Sequence, residues 1–332
     1  MTAAIEIDEL TKTFTVRERG KGLVGAMRAA FVAPTRTLTA VDALSLRVEP
    51  GERIAFIGPN GAGKSTALKM LSGILHPTSG RASVMGLCPW DERRRLAHRI
   101  GTVFGQRSQL WYHLPAAETF ELLARIYDLP LPQYRQRRDG LVERFEIGAQ
   151  LSKPVRQLSL GQRMRCEVVA SLLHAPDVLF LDEPTIGLDV SAKATIRDVI
   201  RHDSEHHGRT VVLTSHDTGD MERVCDRVVV IHAGRVLVDE RIEHLRTRLL
   251  GRKRVVVRTA EATLSLDLPG VRVLSQRPHH TTLEVETDRS PIETVVQAVL
   301  RSSGLLDLTI EDPPMDEVIQ TLYERARRQA SP

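Results

Sequence analysis

The sequence predicts an α/β fold that carries a helical insertion and ends in a small α+β domain. Three short apolar runs, Ile54 to Ile57, Val178 to Leu181 and Val211 to Leu213, are rich in β-branched or bulky residues and show no alternation. Strands buried on both faces of a parallel sheet have this composition, although a buried helical turn of the same length looks similar. Each run ends in small or polar residues and leads into a helix-like stretch, at 58–75, 188–202 and 218–224. Strand, turn and helix repeated in this way describe an open sheet, whose sites lie at the carboxyl ends of the strands.

Taken in order, the elements carry the following signals. Phe14 lies at the end of a strand candidate. The next segment, about residues 17–36, holds Arg17, Arg19, Lys21, Arg28 and Arg36 against the single acid Glu18. Leu23, Val24, Met27 and Phe31 recur there at helical spacing, so the segment reads either as a basic amphipathic helix facing a membrane partner or an anionic surface, or as a solvated loop. The rhythm of the sheet resumes at residue 54 and breaks between about 106 and 173, where Thr119 to Tyr127 and the set Met164, Val168, Val169, Leu172, Leu173 have helical spacing. From about residue 241 the pattern changes again. Strand candidates at Val255 to Val257, Thr263 to Leu268 and Thr282 to Val285 precede a helix from Ile292 to Leu300, a strand from Leu306 to Ile310 and a closing helix from Met315 to Arg327. The expected division is a first domain of residues 1–240 and a second of 241–332.

Composition excludes several classes. With 42% hydrophobic and 27% charged residues, the 332-residue chain is neither disordered nor fibrous. Its 46 basic residues exceed its 42 acidic ones too slightly to point to nucleic acid, and no such partner is expected. Cys88, Cys166 and Cys225 are far apart and form no metal-ligand pattern, which suits reduced thiols in a cytosolic setting. The opening MTAAIEIDEL has acids where a signal peptide has bases, and no apolar run approaches the ~18 residues of a membrane helix. Contact with a membrane is therefore expected through a partner or a surface segment.

The chemistry is concentrated in two stretches. Gly58-Pro59-Asn60-Gly61-Ala62-Gly63-Lys64-Ser65-Thr66 follows a strand candidate and opens a helix, which is the setting a phosphate-binding loop needs. Its glycines turn backbone N–H groups inward and the helix start adds a favourable dipole. Lys64 would neutralise the β and γ phosphates, and the Ser65 hydroxyl would ligate Mg²⁺. Asp182 and Glu183 end the run Val178 to Leu181. Alone they are an ordinary acidic turn; beside a phosphate loop, Asp182 would hold Mg²⁺ and Glu183 would orient or deprotonate the attacking water. Gln106, able to touch both Mg²⁺ and water, and His216, able to bond the γ-phosphate, would complete the site. Ser159 reads as an N-cap opening a helix at Leu158-Ser159-Leu160-Gly161-Gln162, with free amides that suit an anion.

With these residues in view, the chain resembles ABC-type ATPases, over roughly residues 5–240. Walker A lies at 58–66, the Q-loop at Gln106, the signature motif at 158–162, Walker B at 178–183, a D-loop at Gly187-Leu188-Asp189 and the switch histidine at His216. The resemblance implies a P-loop NTPase fold, and a head-to-tail dimer, expected to be a homodimer, that holds ATP between one subunit's Walker A and the other's Ser159, Gly161 and Gln162. It also implies an aromatic residue on the adenine; Phe14 takes that place if residues 17–36 are an insertion. The signature departs from the usual LSGGQ at Leu160. The stretches 103–115 and 305–317 look like those of ABC-2 type exporter ATPases, which implies work for an integral-membrane permease at the cytoplasmic face of the membrane. An importer ATPase and a soluble ABC ATPase are the rival readings. The second domain is read as serving dimerisation or regulation, or as a cap.

Overall fold

The computed structural model describes residues 2–17, 35–105, 108–249, 251–302, 304–313, 315, 317 and 319. The chain divides into two compact units, Met1–Asp239 and Glu240–Pro332.

In the first unit, β1 (Ile5–Arg17) and β2 (Thr35–Val48) form a long antiparallel pair whose ends match Ile5 with Val48 and Arg17 with Thr35. After β3 (Arg53–Ile57) and α1 (Lys64–Leu71), β4 (Ser79–Val84) joins them in a three-stranded sheet of order β2-β1-β4. The chain then runs through α2 (Arg93–Ala97) and β5 (Ile100–Phe104) into a helical stretch: α3 (Ala116–Ile126), α4 (Leu131–Arg144) and α5 (Leu160–Leu172). Phe120, Tyr134, Leu141, Phe145, Met164 and Val168 are the buried sides of this stretch, in line with its helical spacing.

β6 (Val178–Asp182), α6 (Val190–His207), β7 (Thr210–Thr214), α7 (Thr218–Val224), β8 (Arg227–His232) and β9 (Arg235–Arg241) follow. The second sheet has the order β5-β6-β7-β3-β8-β9, with parallel pairing from β5 across to β8. The three apolar runs are its central strands β3, β6 and β7, and each residue of β7 is buried. Burial on both faces is why they lack alternation. Phe56, Leu68, Leu71, Phe180, Val212 and Ile231 share one core with Ile5, Leu10 and Val48 of the antiparallel sheet. Each such side chain contributes roughly 1.5–3 kcal/mol on leaving water. The core thus fixes α1 under the sheet and brings the ends of β3, β6 and β7 to one edge.

The second unit contains α8 (Ile242–Leu249), β10 (Arg252–Thr259), β11 (Val271–Arg277), β12 (His280–Glu286), α9 (Ile292–Ser302) and β13 (Leu305–Glu311). Its sheet has the order β11-β12-β10-β13, antiparallel throughout. Val255, Val257, Leu283 and Val285 pack on Val295 and Val299 of α9.

One expectation is corrected here. Thr263 to Leu268 is not a strand. Its alternating leucines do pack on the core, but the segment is irregular, and Gln276 Nε2 donates to Leu264 O at 2.9 Å. The strand is instead β11, which lies at the sheet edge and is mostly exposed, so no apolar run marks it. The closing helix expected at 315–327 is helical at Met315, Glu317 and Ile319, and the rest lies outside the described residues. So do Glu18, Arg19, Lys21, Leu23, Val24, Met27, Arg28 and Phe31 of the basic segment.

Candidate active site

Residues 58–66 link β3 to α1. Gly63 is the N-cap of α1 with φ 106°, and no side chain caps this helix start. A Cβ on Gly63 would fall 2.3 Å from Ala40 O, so only glycine fits, and the first amides of α1 stay open to an anion. Lys64 is buried, and its Nζ donates to Gly58 O at 2.6 Å and to Pro59 O at 3.2 Å. Burial pulls its pKa below the usual lysine value, while the carboxylates Glu183 and Asp182 act in the opposite direction. The cation is thereby held against the loop that a phosphate would occupy.

Asp182 ends β6 beside this loop. Its Oδ1 accepts from Ser65 Oγ at 2.8 Å and from Thr214 Oγ1 at 2.6 Å. Ser65 and Asp182 therefore present adjacent oxygens, the donor type that Mg²⁺ prefers, and few protein ligands suffice when phosphates and water complete the shell. Among the described residues no group of three or more His, Cys, Asp or Glu side chains forms a metal cage. Glu183 follows with φ 54°. Its N–H donates to Thr214 O at 3.0 Å and Thr214 Oγ1 at 3.1 Å, and its Oε1 meets His216 Nε2 at 2.8 Å. Gly105 N donates to Asp182 O at 2.9 Å, pinning the end of β5 to that of β6. Gln106, the next residue, lies outside the described residues.

Phe14, Leu38, Thr39 and Ala40 line one cavity of about 310 Å³ with Asn60 to Thr66 and Glu183. Phe14 pairs with Leu38 across the β1–β2 hairpin, so the hairpin returns an upstream aromatic to the phosphate loop. Lys12 Nζ lies 5.3 Å from its ring centre. A larger cavity of about 620 Å³, lined by Glu121, Tyr134 and Arg138 among others, contains none of the motif residues. Chemistry rather than volume locates the site.

Ser159, Gly161 and Gln162 do not line the phosphate-loop cavity. Ser159 is the N-cap of α5: its Oγ accepts from Gln162 N at 3.3 Å, and Gln162 Oε1 accepts from Ser159 N at 3.1 Å. This reciprocal box fixes the start of the helix. The Leu160 side chain is 40% exposed and lies over Gly187, where an added Cβ would come 3.1 Å from Leu160 Cδ2. The departure from glycine thus joins the start of α5 to the turn before α6.

Sequence reading misses Thr214, Thr185, Ser215 and Asp220. Thr214 is the polar end of an apolar run just before His216, a faint signal. Asp220 bonds Thr185, Ser215 and Arg197, contacts that only folding reveals.

A family model described as "ABC transporter" matches residues 41–186. The chain is 36% identical to the daunorubicin resistance ATP-binding protein DrrA3 of Streptomyces coeruleorubidus, over 87% of this chain and 92% of that protein. It is 36% identical to the Nod factor export ATP-binding protein I of Ralstonia nicotianae, over 71% of each. Among solved structures, a dimeric ATP-binding cassette in a post-hydrolysis state, bound to ADP and Pi, superposes with a TM-score of 0.61 at 26% identity, over 72% of this chain and 98% of that one.

Proposed function

Because the chain belongs to the family of ABC transporter ATP-binding proteins, we propose that it is the subunit of an ABC-2 type exporter that hydrolyses ATP for a separate integral-membrane permease. The observation that carries the hydrolytic part is the Glu183–His216 pair at 2.8 Å, beside the Ser65–Asp182 contact at 2.8 Å and at the mouth of the phosphate loop. The exporter part is supported by the relatives named for drug resistance and Nod factor export.

In this reading the backbone N–H groups of the 58–66 loop, Pro59 excepted because it has none, and the Lys64 ammonium hold the phosphates, and Phe14 stacks on the adenine. Ser65, Asp182 and Gln106 hold Mg²⁺, which when bound neutralises phosphate charge. Glu183 orients the attacking water or takes its proton, and His216 bonds the γ-phosphate. Ser159, Gly161 and Gln162 close on the nucleotide of a second copy, which accounts for their lying outside the cavity of their own chain. Two such sites form in a head-to-tail homodimer at the cytoplasmic face of the membrane, where the permease selects the substrate.

Glu183→Gln tests this most directly. Turnover should fall about 100-fold or more, the scale of a lost general base, while Mg-ATP still drives dimerisation on sizing. Lys64→Ala should weaken nucleotide binding itself. Turnover unchanged in Glu183→Gln, or a wild-type chain that stays monomeric with Mg-ATP, would contradict the assignment. Recovery of the chain with membranes only when a permease is co-expressed checks the partner.

A further inference from the structure

Glu183 and His216 stand on different turns, one after β6 and one after β7, yet their side chains meet at 2.8 Å. Glu183 also holds φ 54°, a conformation that a residue with a Cβ keeps only when its surroundings enforce it. Asp220 on α7 is fully buried and reaches both turns. Its Oδ2 accepts from Thr185 Oγ1, two residues beyond Glu183, and from Ser215 Oγ, the residue before His216. Its Oδ1 accepts from Arg197 Nε of α6 at 2.6 Å.

The ring of contacts closes on itself. Ser215 Oγ accepts from Asp217 N at 2.9 Å, and the Asp217 carboxylate pairs with Lys193 Nζ at 2.6 Å and an Arg197 Nη at 3.0 Å. Thr185 and Ser215 are themselves buried, so no bulk water stands ready to replace either hydroxyl contact. A buried carboxylate persists when an opposite charge and hydrogen bonds satisfy it. Here Arg197 supplies the charge and the two hydroxyls supply the bonds.

We propose that Asp220 is a positioning residue for ATP hydrolysis: one of its oxygens fastens the turn of Glu183 to the turn of His216 and so sets the spacing of that pair. The inference rests on the reading of Glu183 and His216 as the hydrolytic pair. Asp220 bonds no residue of the 58–66 loop in the network above, so its effect belongs to turnover rather than to nucleotide capture.

The test compares Asp220→Asn, Thr185→Ala, Ser215→Ala and Thr185→Ser in the full-length chain, reading kcat, KM and binding of a fluorescent ATP analogue. The first three should lose about tenfold or more in kcat, the scale of a small misplacement of reacting groups, with KM and analogue binding unchanged. Thr185→Ser keeps the hydroxyl and should keep the rate. In a Glu183→Gln background, Thr185→Ala should cost nothing further, because it acts through Glu183. Should Asp220→Asn fail to fold, the two hydroxyl variants decide. Wild-type kcat in those variants, or losses of kcat and analogue binding in step, would overturn the role of Asp220 alone. A wild-type chain that binds Mg-ATP without turnover would remove the hydrolytic reading, and this inference with it.

Discussion

His174, at the end of the helical stretch, shows what a single ring can do to stability. Its Nε2 lies 2.9 Å from Ile100 O, and its ring stacks on Tyr127 with centroids 4.0 Å apart. Burial, opposed by the Ile100 carbonyl and reinforced by Arg209, His98 and Arg137, lowers its pKa from 6.5 to about 4. The folded chain therefore keeps the ring neutral in a window where the unfolded chain takes up a proton. Stability from this group is complete above pH 6.5 and is lost as pH falls toward about 4, a swing on the order of 3 kcal/mol. Urea midpoints should rise with pH across that window in the wild type and rise less in His174→Gln, whose amide can still donate to Ile100 O. Parallel slopes in the two proteins would exclude His174 as the source. Such residues are silent in the sequence. The phosphate loop is legible because its chemistry is consecutive, 58–66, whereas Asp220, Thr185 and Ser215 become partners only when two strand ends are brought side by side.

At the scale of elements, legibility follows burial. β3, β6 and β7 are buried on both faces and declare themselves as apolar runs. β1 does not, because its register with β2 shifts between Ile7 and Leu10 and again before Lys12 and Thr13. Glu9 and Ala43, at φ 49° and 47°, mark these irregularities and destroy the period of two that a strand would show. The turn between Walker B and α6 offers a sharper test of element chemistry. Gly187 has φ 72°, and a Cβ there would also press on Leu160 Cδ2 at 3.1 Å. Gly187→Ala should destabilise the chain by about 1–2 kcal/mol from the left-handed backbone alone, with a smaller steric part from Leu160. Adding Leu160→Ala should return only the steric part in a double-mutant cycle of denaturation midpoints. Full recovery in the double variant would show that the contact, and not φ, requires glycine.

For the whole molecule, the decisive feature is that each compact unit has a core of its own. The first is built around Phe56, Phe180 and Leu68, the second around Val255, Leu283 and Val299. The site residues Phe14, 58–66, Asp182, Glu183, Thr214 and His216 all belong to Met1–Asp239. A core that closes within a segment is what allows that segment to fold alone. A chain ending at Arg241, which keeps β9 whole, should therefore melt cooperatively and bind a fluorescent ATP analogue with the affinity of the full-length protein. The remaining segment has the smaller core and less surface to bury, so it should be the less stable piece when expressed by itself. Comparing analogue titrations and thermal melts of the full-length and shortened chains tests this. A shortened chain that binds nucleotide normally but no longer dimerises with Mg-ATP would assign the second unit to pairing. One that loses cooperative melting would show that the core around Phe56 is not self-sufficient, and the independence of the two units would have to be given up.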